Sequence, residues 1–190
     1  NPVVEYLDAL CWDGTERLDN LPTYFNAEDT ELSRACLRKT LIASVRRQRT
    51  PGCKHDTMVV LLSDEQGLGK STAIRRLYGD EAFSDAPLGD LNGKDAPMIL
   101  ARHWAIEMAE LDALRQAETT PLKGFLSRQT DDFRRPFGSV VEKRPRRCVI
   151  WGTGNERGFL RDEPGNRRFW PITDNGPIDT AALEEIRDQL

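Results

Sequence analysis

The spacing of apolar positions changes character along the chain. Val3, Tyr6, Leu7 and Leu10 recur at helical intervals behind Pro2, a residue suited to a first helical turn. Cys11-Trp12-Asp13-Gly14 interrupts that pattern with a turn signal. Asp29 or Thr30 stands where a second helix needs its cap, and Leu32, Ala35, Leu37, Leu41 and Val45 form its predicted apolar stripe. Arg46, Arg47 and Arg49 follow as cations at the negative helix end, ahead of Pro51-Gly52. The period then shortens. Thr57-Met58-Val59-Val60-Leu61-Leu62 is a continuous β-favouring run, as expected of a strand covered on both faces. It leads into Gly67-Leu68-Gly69-Lys70-Ser71-Thr72 and a predicted helix to Leu77, with Gly79 as its stop. Residues 104–108 and 148–152 read as further strands. Strands separated by helical stretches predict an α/β fold with a mostly parallel sheet flanked by helices. The expected division is a helical N-terminal subdomain over 1–52 and a core over 53–190.

Composition narrows the class without changing the fold. The chain has 190 residues, 38% hydrophobic and 31% charged, enough for one α/β domain with a core. No apolar run approaches a membrane span and no charged-then-apolar leader precedes residue 1. Asn1 in place of methionine is expected of a fragment or a processed product, and 179–190 reads as the start of a longer helix. Cys11, Cys36, Cys53 and Cys148 are scattered without a CxxC spacing, as expected of reduced cytoplasmic residues that pack rather than bind metal. His55 and His103 lie far apart, with no nucleophile or metal cluster to pair with, so surface or packing roles are expected. A net charge of −4 argues against diffuse nucleic-acid affinity. Yet Arg134, Arg135, Lys143, Arg144, Arg146 and Arg147 lie close together against one acid, Glu142, which suits a local polyanion contact.

The segment Asp64 to Ser71 matches the P-loop pattern G-x-x-x-x-G-K-[ST] except at its first position, where Asp64 stands. Glycines allow a turn tight enough for successive N–H groups to point inward, and the helix that follows adds the positive end of its dipole. Gln66, Gly67, Leu68, Gly69, Lys70, Ser71 and Thr72 are therefore the predicted cradle for the phosphates of ATP. Lys70 is expected to reach the β- and γ-phosphates, and Ser71 to offer its hydroxyl to Mg²⁺. Asp64 sits at the strand exit, where its expected effect is on local geometry. Such a loop needs acids on a neighbouring strand. Glu107, ending the Trp104-Ala105-Ile106 run, is the predicted metal-side acid, and Glu110 the group that polarises water, with Asp112 third. From its residues alone, Asn155 reads as a turn residue after an apolar strand.

In order along the chain, these motifs resemble the virulence-associated protein E family, phage- and mobile-element P-loop proteins related to superfamily 3 helicases and their AAA+ relatives. Carrying the resemblance are Asn1-Pro2-Val3, Trp12-Asp13-Gly14, Gln66-Gly67-Leu68-Gly69-Lys70-Ser71-Thr72, Glu107-Met108-Ala109-Glu110-Leu111-Asp112, Leu122-Lys123-Gly124-Phe125-Leu126-Ser127, Gly152-Thr153-Gly154-Asn155 and Gly165-Asn166-Arg167-Arg168-Phe169-Trp170-Pro171. The sequence departs from the family pattern at Asp64 and at Gly154. The resemblance implies an ATP-driven nucleic-acid motor in the replication of a phage, prophage or satellite element, within a bacterial cytoplasm. It implies Asn155 as the sensor of the γ-phosphate, and Arg167 or Arg168 as an arginine finger reaching a neighbouring subunit in a homo-oligomeric ring, expected as a hexamer. It further implies a basic hairpin around 137–142 that grips single-stranded DNA, and a primase or origin-binding partner domain. Phe133 and Phe137 are candidates for base stacking, though packing is the expectation. Two rival functions stay open: a nucleotide-binding scaffold with little turnover, and a P-loop small-molecule kinase.

Overall fold

Met58–Leu62 forms strand β1, and all its side chains are buried. Val59 and Leu61 join one apolar cluster while Met58, Val60 and Leu62 join another, the alternation a pleated strand imposes. The computed structural model describes residues 1–93, 95–111, 116–134, 140–155 and 166–190. Further strands are β2 (Phe83–Ser84), β3 (Ala105–Met108), β4 (Thr130–Arg134), β5 (Val141–Pro145), β6 (Val149–Gly154) and β7 (Phe169–Thr173). The main sheet has five strands in the order β2-β3-β6-β1-β7, paired in parallel throughout. β4 and β5 pair antiparallel as a separate ribbon.

Helices cover both faces of the sheet. One cluster gathers α2 (Leu21–Tyr24), α3 (Glu31–Arg49), α4 (Lys70–Tyr78) and α7 (Thr180–Ile186), with α1 (Pro2–Ala9) packed at its margin. The other gathers α5 (Ala96–Leu100) and α6 (Gln116–Ser127). The helices of the first fifty residues thus share a core with the sheet: Phe25 stacks on Trp151 of β6 at a ring-centroid distance of 6.1 Å. Among the described residues, no helix is long and apolar enough to cross a membrane.

Three local expectations are modified. Thr30 caps α3, accepting from the Ser33 N–H at 3.1 Å. The buried face of α3 carries Cys36, Leu37, Thr40 and Ser44, whereas Leu32 is 72% exposed. Arg47 is not a solvated helix-end cation. It is buried, and its guanidinium donates to the carbonyls of Cys148 and His55, both at 2.8 Å, and of Cys53 at 3.2 Å. A buried cation is tolerated only where its donors are satisfied, and here they tie α3 to the approaches of β1 and β6. The flanks of the hairpin expected around 137–142 pair with each other as β4 and β5, so basic residues stand within strands, while 137–139 lie outside the described residues.

Candidate functional site

In a parallel sheet the carboxyl ends of the strands share one edge, and loops leaving that edge bring distant residues together. β1 leaves it through a turn in which Gly67 (φ +79°) and Gly69 (φ +92°) adopt left-handed backbone. Gly69 cannot be replaced freely on two counts. A side chain there is strained by its φ, and a Cβ would lie 3.3 Å from Thr180 Cγ2. The Leu68 carbonyl accepts from the Ile178 N–H at 2.9 Å, strapping the turn to the segment that enters α7. α4 then starts at Lys70 with no side-chain cap, so its first-turn N–H groups lack intrahelical partners at an exposed terminus. Gln66, Gly67, Ser71 and Thr72 are exposed, and Leu68, Gly69 and Lys70 half-buried.

Lys70 projects back over the turn. Its ammonium donates to the Ser63 hydroxyl, to Asn155 Oδ1 at 3.1 Å and to the Glu65 carbonyl at 3.5 Å. Ser71 Oγ donates to Glu107 Oε1 at 2.7 Å. Lys70, Ser71, Glu107 and Asn155 thus come together from distant stretches of sequence at one edge of the sheet. Glu107 is only 2% exposed. Its Oε1 also accepts from Thr153 Oγ1 at 2.7 Å, while Oε2 is buried with no hydrogen-bond partner. That orphaned oxygen beside a serine hydroxyl makes an all-oxygen donor set, which fits a hard cation such as Mg²⁺. Among the described residues, no group of three or more His, Cys, Asp or Glu side chains could hold a metal by itself. Mg²⁺ commonly uses one or two protein ligands and takes the rest from phosphate and water.

Glu110 follows β3 with φ +55°, an uncommon conformation for a residue with a side chain. With Glu107, Asp85 and Asp90 it lines a cleft of about 740 Å³. The turn is anchored by Leu111, fully buried against Gly152 of β6, where any Cβ would collide with the leucine side chain. Asp112 lies outside the described residues.

Three members of the site carried no catalytic signal in the sequence. Thr153 orients Glu107, Gly152 makes room for Leu111, and Asp174, just past β7, is buried with neither carboxylate oxygen hydrogen-bonded. The first two sit inside the Gly152-Thr153-Gly154-Asn155 run, so the motif marks the place without revealing their tasks.

Arg167 and Arg168 stand elsewhere. They precede β7, whose Phe169 is in register with Met58, so they sit at the amino edge of the sheet. At about 3.3 Å per residue, the length of β7 separates them from the Lys70 turn by roughly 16 Å. Arg168 donates to Ser127 Oγ at 3.1 Å, and Arg167 is exposed. The basic ribbon also lies toward the amino edge, since β5 leads into the start of β6. Lys143 and Arg147 are exposed, and Arg144 lies 4.1 Å over the ring of Phe133, which is half-buried. Arg146 departs from its expected role as a polyanion contact. Its guanidinium is fully buried, held by Asp131 at 2.8 and 2.5 Å and by the Phe125 carbonyl at 2.8 Å. Arg134 closes β4, while Arg135 and Phe137 lie outside the described residues.

A second large cavity, of about 470 Å³, is lined by Tyr6, Leu41, Val45, Leu77 and Trp104 among others. It lies at the amino edge, away from these polar groups, and is mostly apolar.

Residues 7–190 match the family described as the virulence-associated protein E-like domain. No curated protein matches the chain. Similar solved structures include the apo NrS-1 C-terminal region (305–718), with a TM-score of 0.65 at 13% identity. Another structure of the apo NrS-1 C-terminal region gives 0.62 at 16% identity. The first alignment covers 97% of this chain and 46% of that one, so the chain spans under half the length of the solved relative. At that identity the likeness concerns the fold.

Proposed function

The chain belongs to the virulence-associated protein E-like domain family, and from that membership and the site we propose that it is an ATP-hydrolysing nucleic-acid motor domain of a replication protein. The observation that carries this reading is the convergence of Lys70, Ser71, Glu107 and Asn155 at the end of β1. In this reading, the left-handed turn and the first turn of α4 present N–H groups to the phosphates of ATP. Lys70 leaves Ser63 and Asn155 to neutralise the β- and γ-phosphates. Asn155, relieved of the ammonium, turns to the γ-phosphate or the attacking water. Ser71 and Glu107 would hold Mg²⁺, which would supply charge neutralisation for the phosphates. Thr153 keeps the Glu107 carboxylate in its rotamer, and Glu110 accepts a proton from water at the mouth of the cleft.

Arg167 and Arg168 are too distant to serve the phosphates of their own subunit. An arginine finger at the amino edge acts on the next subunit, which requires a head-to-tail contact and hence a ring. The exposed cations of the β4–β5 ribbon are then available to single-stranded DNA in its channel. A phage, prophage or satellite setting and a primase or origin-binding partner belong to the same proposal.

The cleft beside Glu110 gives the small-molecule kinase reading a place for a phosphate acceptor. One assay separates the readings: ATP hydrolysis with and without single-stranded DNA, for wild type and Lys70→Ala. The motor reading expects DNA-stimulated hydrolysis that falls about 10³-fold in the variant, by analogy with removal of other transition-state charge stabilisers. Phosphate appearing on a metabolite favours the kinase, and binding without turnover favours a scaffold. In the same assay Arg167→Ala or Arg168→Ala should cut turnover while nucleotide binding persists; normal turnover in both removes the finger.

A further inference from the structure

Asp174 is held firmly at the carboxyl edge. Its N–H donates to the Leu62 carbonyl at 3.0 Å, continuing the β1–β7 pairing, and its backbone bridges Ala27 on the other side. Asn175 N–H donates to the Asn26 carbonyl at 2.7 Å, fixing the next residue as well. Asp174 is 8% exposed, and both carboxylate oxygens are buried without a hydrogen-bond partner. A carboxylate in that state is costly unless a charge compensates it.

Its charged surroundings are few. Lys70, from α4, attracts it, and Asp64, from the turn, repels it. The Ser63 hydroxyl and the Gly176 N–H lie near enough to favour the ionised form, but neither meets an oxygen in hydrogen-bonding geometry. The Ser63 proton is committed to the Glu65 carbonyl at 3.0 Å. Burial wins, and the Asp174 carboxyl is pushed above its ordinary range. An acid in this condition beside a turn suited to anions is unexpected, because phosphate brings more negative charge.

We propose that Asp174 is a positioning residue for Lys70: it steadies the ammonium in the nucleotide-free turn, yields it to an incoming polyphosphate, and takes up a proton from solvent in exchange. This rests on the nucleotide-binding reading above. When Lys70 turns to phosphate, Asp174 loses its attractive partner and gains a repulsive one. Both changes favour the neutral acid, so its pKa is higher in the bound state than in the free state. By linkage, binding draws in protons between those two values and none well outside them. The step is plain protonation: the carboxylate gains a proton that the buffer loses.

Calorimetric titration of the whole chain with Mg·ADP, repeated in buffers of different ionisation enthalpy, counts the protons directly. Wild type should take up protons on binding, by an amount that grows as the pH falls from neutral toward the ordinary carboxylate range. Asp174→Asn should lose that component while binding at least as tightly, and Asp174→Glu should keep it. The Asn variant should also melt no lower than wild type at neutral pH. A folded-state pKa above the unfolded one means that the ionised acid opposes folding there, and only below the ordinary carboxylate range does that penalty vanish. Nucleotide binding with equal proton counts in wild type and Asp174→Asn overturns the inference and leaves the ATP reading standing. Failure of wild type to bind Mg·ADP removes both. Should the Asn variant not fold, a wild-type count of zero across the range is sufficient to reject it.

Discussion

Glu107 and Arg146 are equally buried, at 2% exposure, and opposite in what surrounds them. Arg146, at the root of the β4–β5 ribbon, has a bidentate carboxylate, a backbone carbonyl and the Phe125 ring at 4.6 Å. Glu107, at the carboxyl edge, has both of its hydroxyl partners on one oxygen and nothing on the other. A charge buried for architecture is completed by the chain itself, because any missing partner is a direct loss of stability. A charge buried for a ligand is left incomplete, because the ligand supplies the remainder. The contrast separates two roles that burial alone would merge.

The largest expected effect tests the incomplete member. Glu107→Gln should lower ATP hydrolysis by about 10²- to 10³-fold, the scale seen when a preorganised electrostatic group is removed. Melting temperature should stay level or rise, since the change removes an uncompensated charge from the interior. A melting loss as deep as that of an Arg146 variant, with hydrolysis intact, would make Glu107 architectural and erase the distinction.

Arg146→Ala sharpens the comparison from the other side. Removing one partner of a buried pair strands Asp131, at a cost of about 3–5 kcal/mol, or roughly 10 °C in melting temperature for a chain of this size. Arg146→Met combined with Asp131→Leu should recover most of that loss. Thermal denaturation of the single and double variants reads both. A single variant that melts like wild type would show the pair to be dispensable.

The same distinction bears on what the sequence makes legible. β1, β3, β6 and α4 are predictable because each announces itself locally: a continuous apolar run, or a helix opened by glycines and closed by Gly79. β7 is not, since Phe169-Trp170-Pro171-Ile172-Thr173 contains a proline that argues against a sheet interior. The structure accommodates Pro171 because β7 is an edge strand, where a missing N–H need not cost a ladder bond. β4 and β5 escape as strands because their charged alternation resembles a solvated loop. Spacing and strand context single out Lys70, Ser71 and Glu107 as candidates, and the structure brings them to one edge of the sheet. Thr153 and Asp174 are not, because their places follow from the register of β6 and β7 against β1 and β3. Arg146 and Arg47 defeat a local reading for a related reason: an arginine's burial is decided by partners far away in sequence.

The ribbon offers the smallest and most selective test. With Arg146 committed to Asp131, and Arg144 resting on Phe133 and paired with Glu142 at 3.3 Å, Lys143 and Arg147 are the exposed cations of β5 and its exit. If single-stranded DNA passes along this ribbon, reversing both to Glu should weaken its binding and flatten the salt dependence. The slope of log K against log salt should fall by about 0.7 for each phosphate that is no longer neutralised. Melting temperature should hardly move, because neither side chain completes a buried group. Binding isotherms at several salt concentrations measure the slope. An unchanged slope in the double reversal would leave the ribbon with architecture alone, and would send the search for the DNA path to another surface.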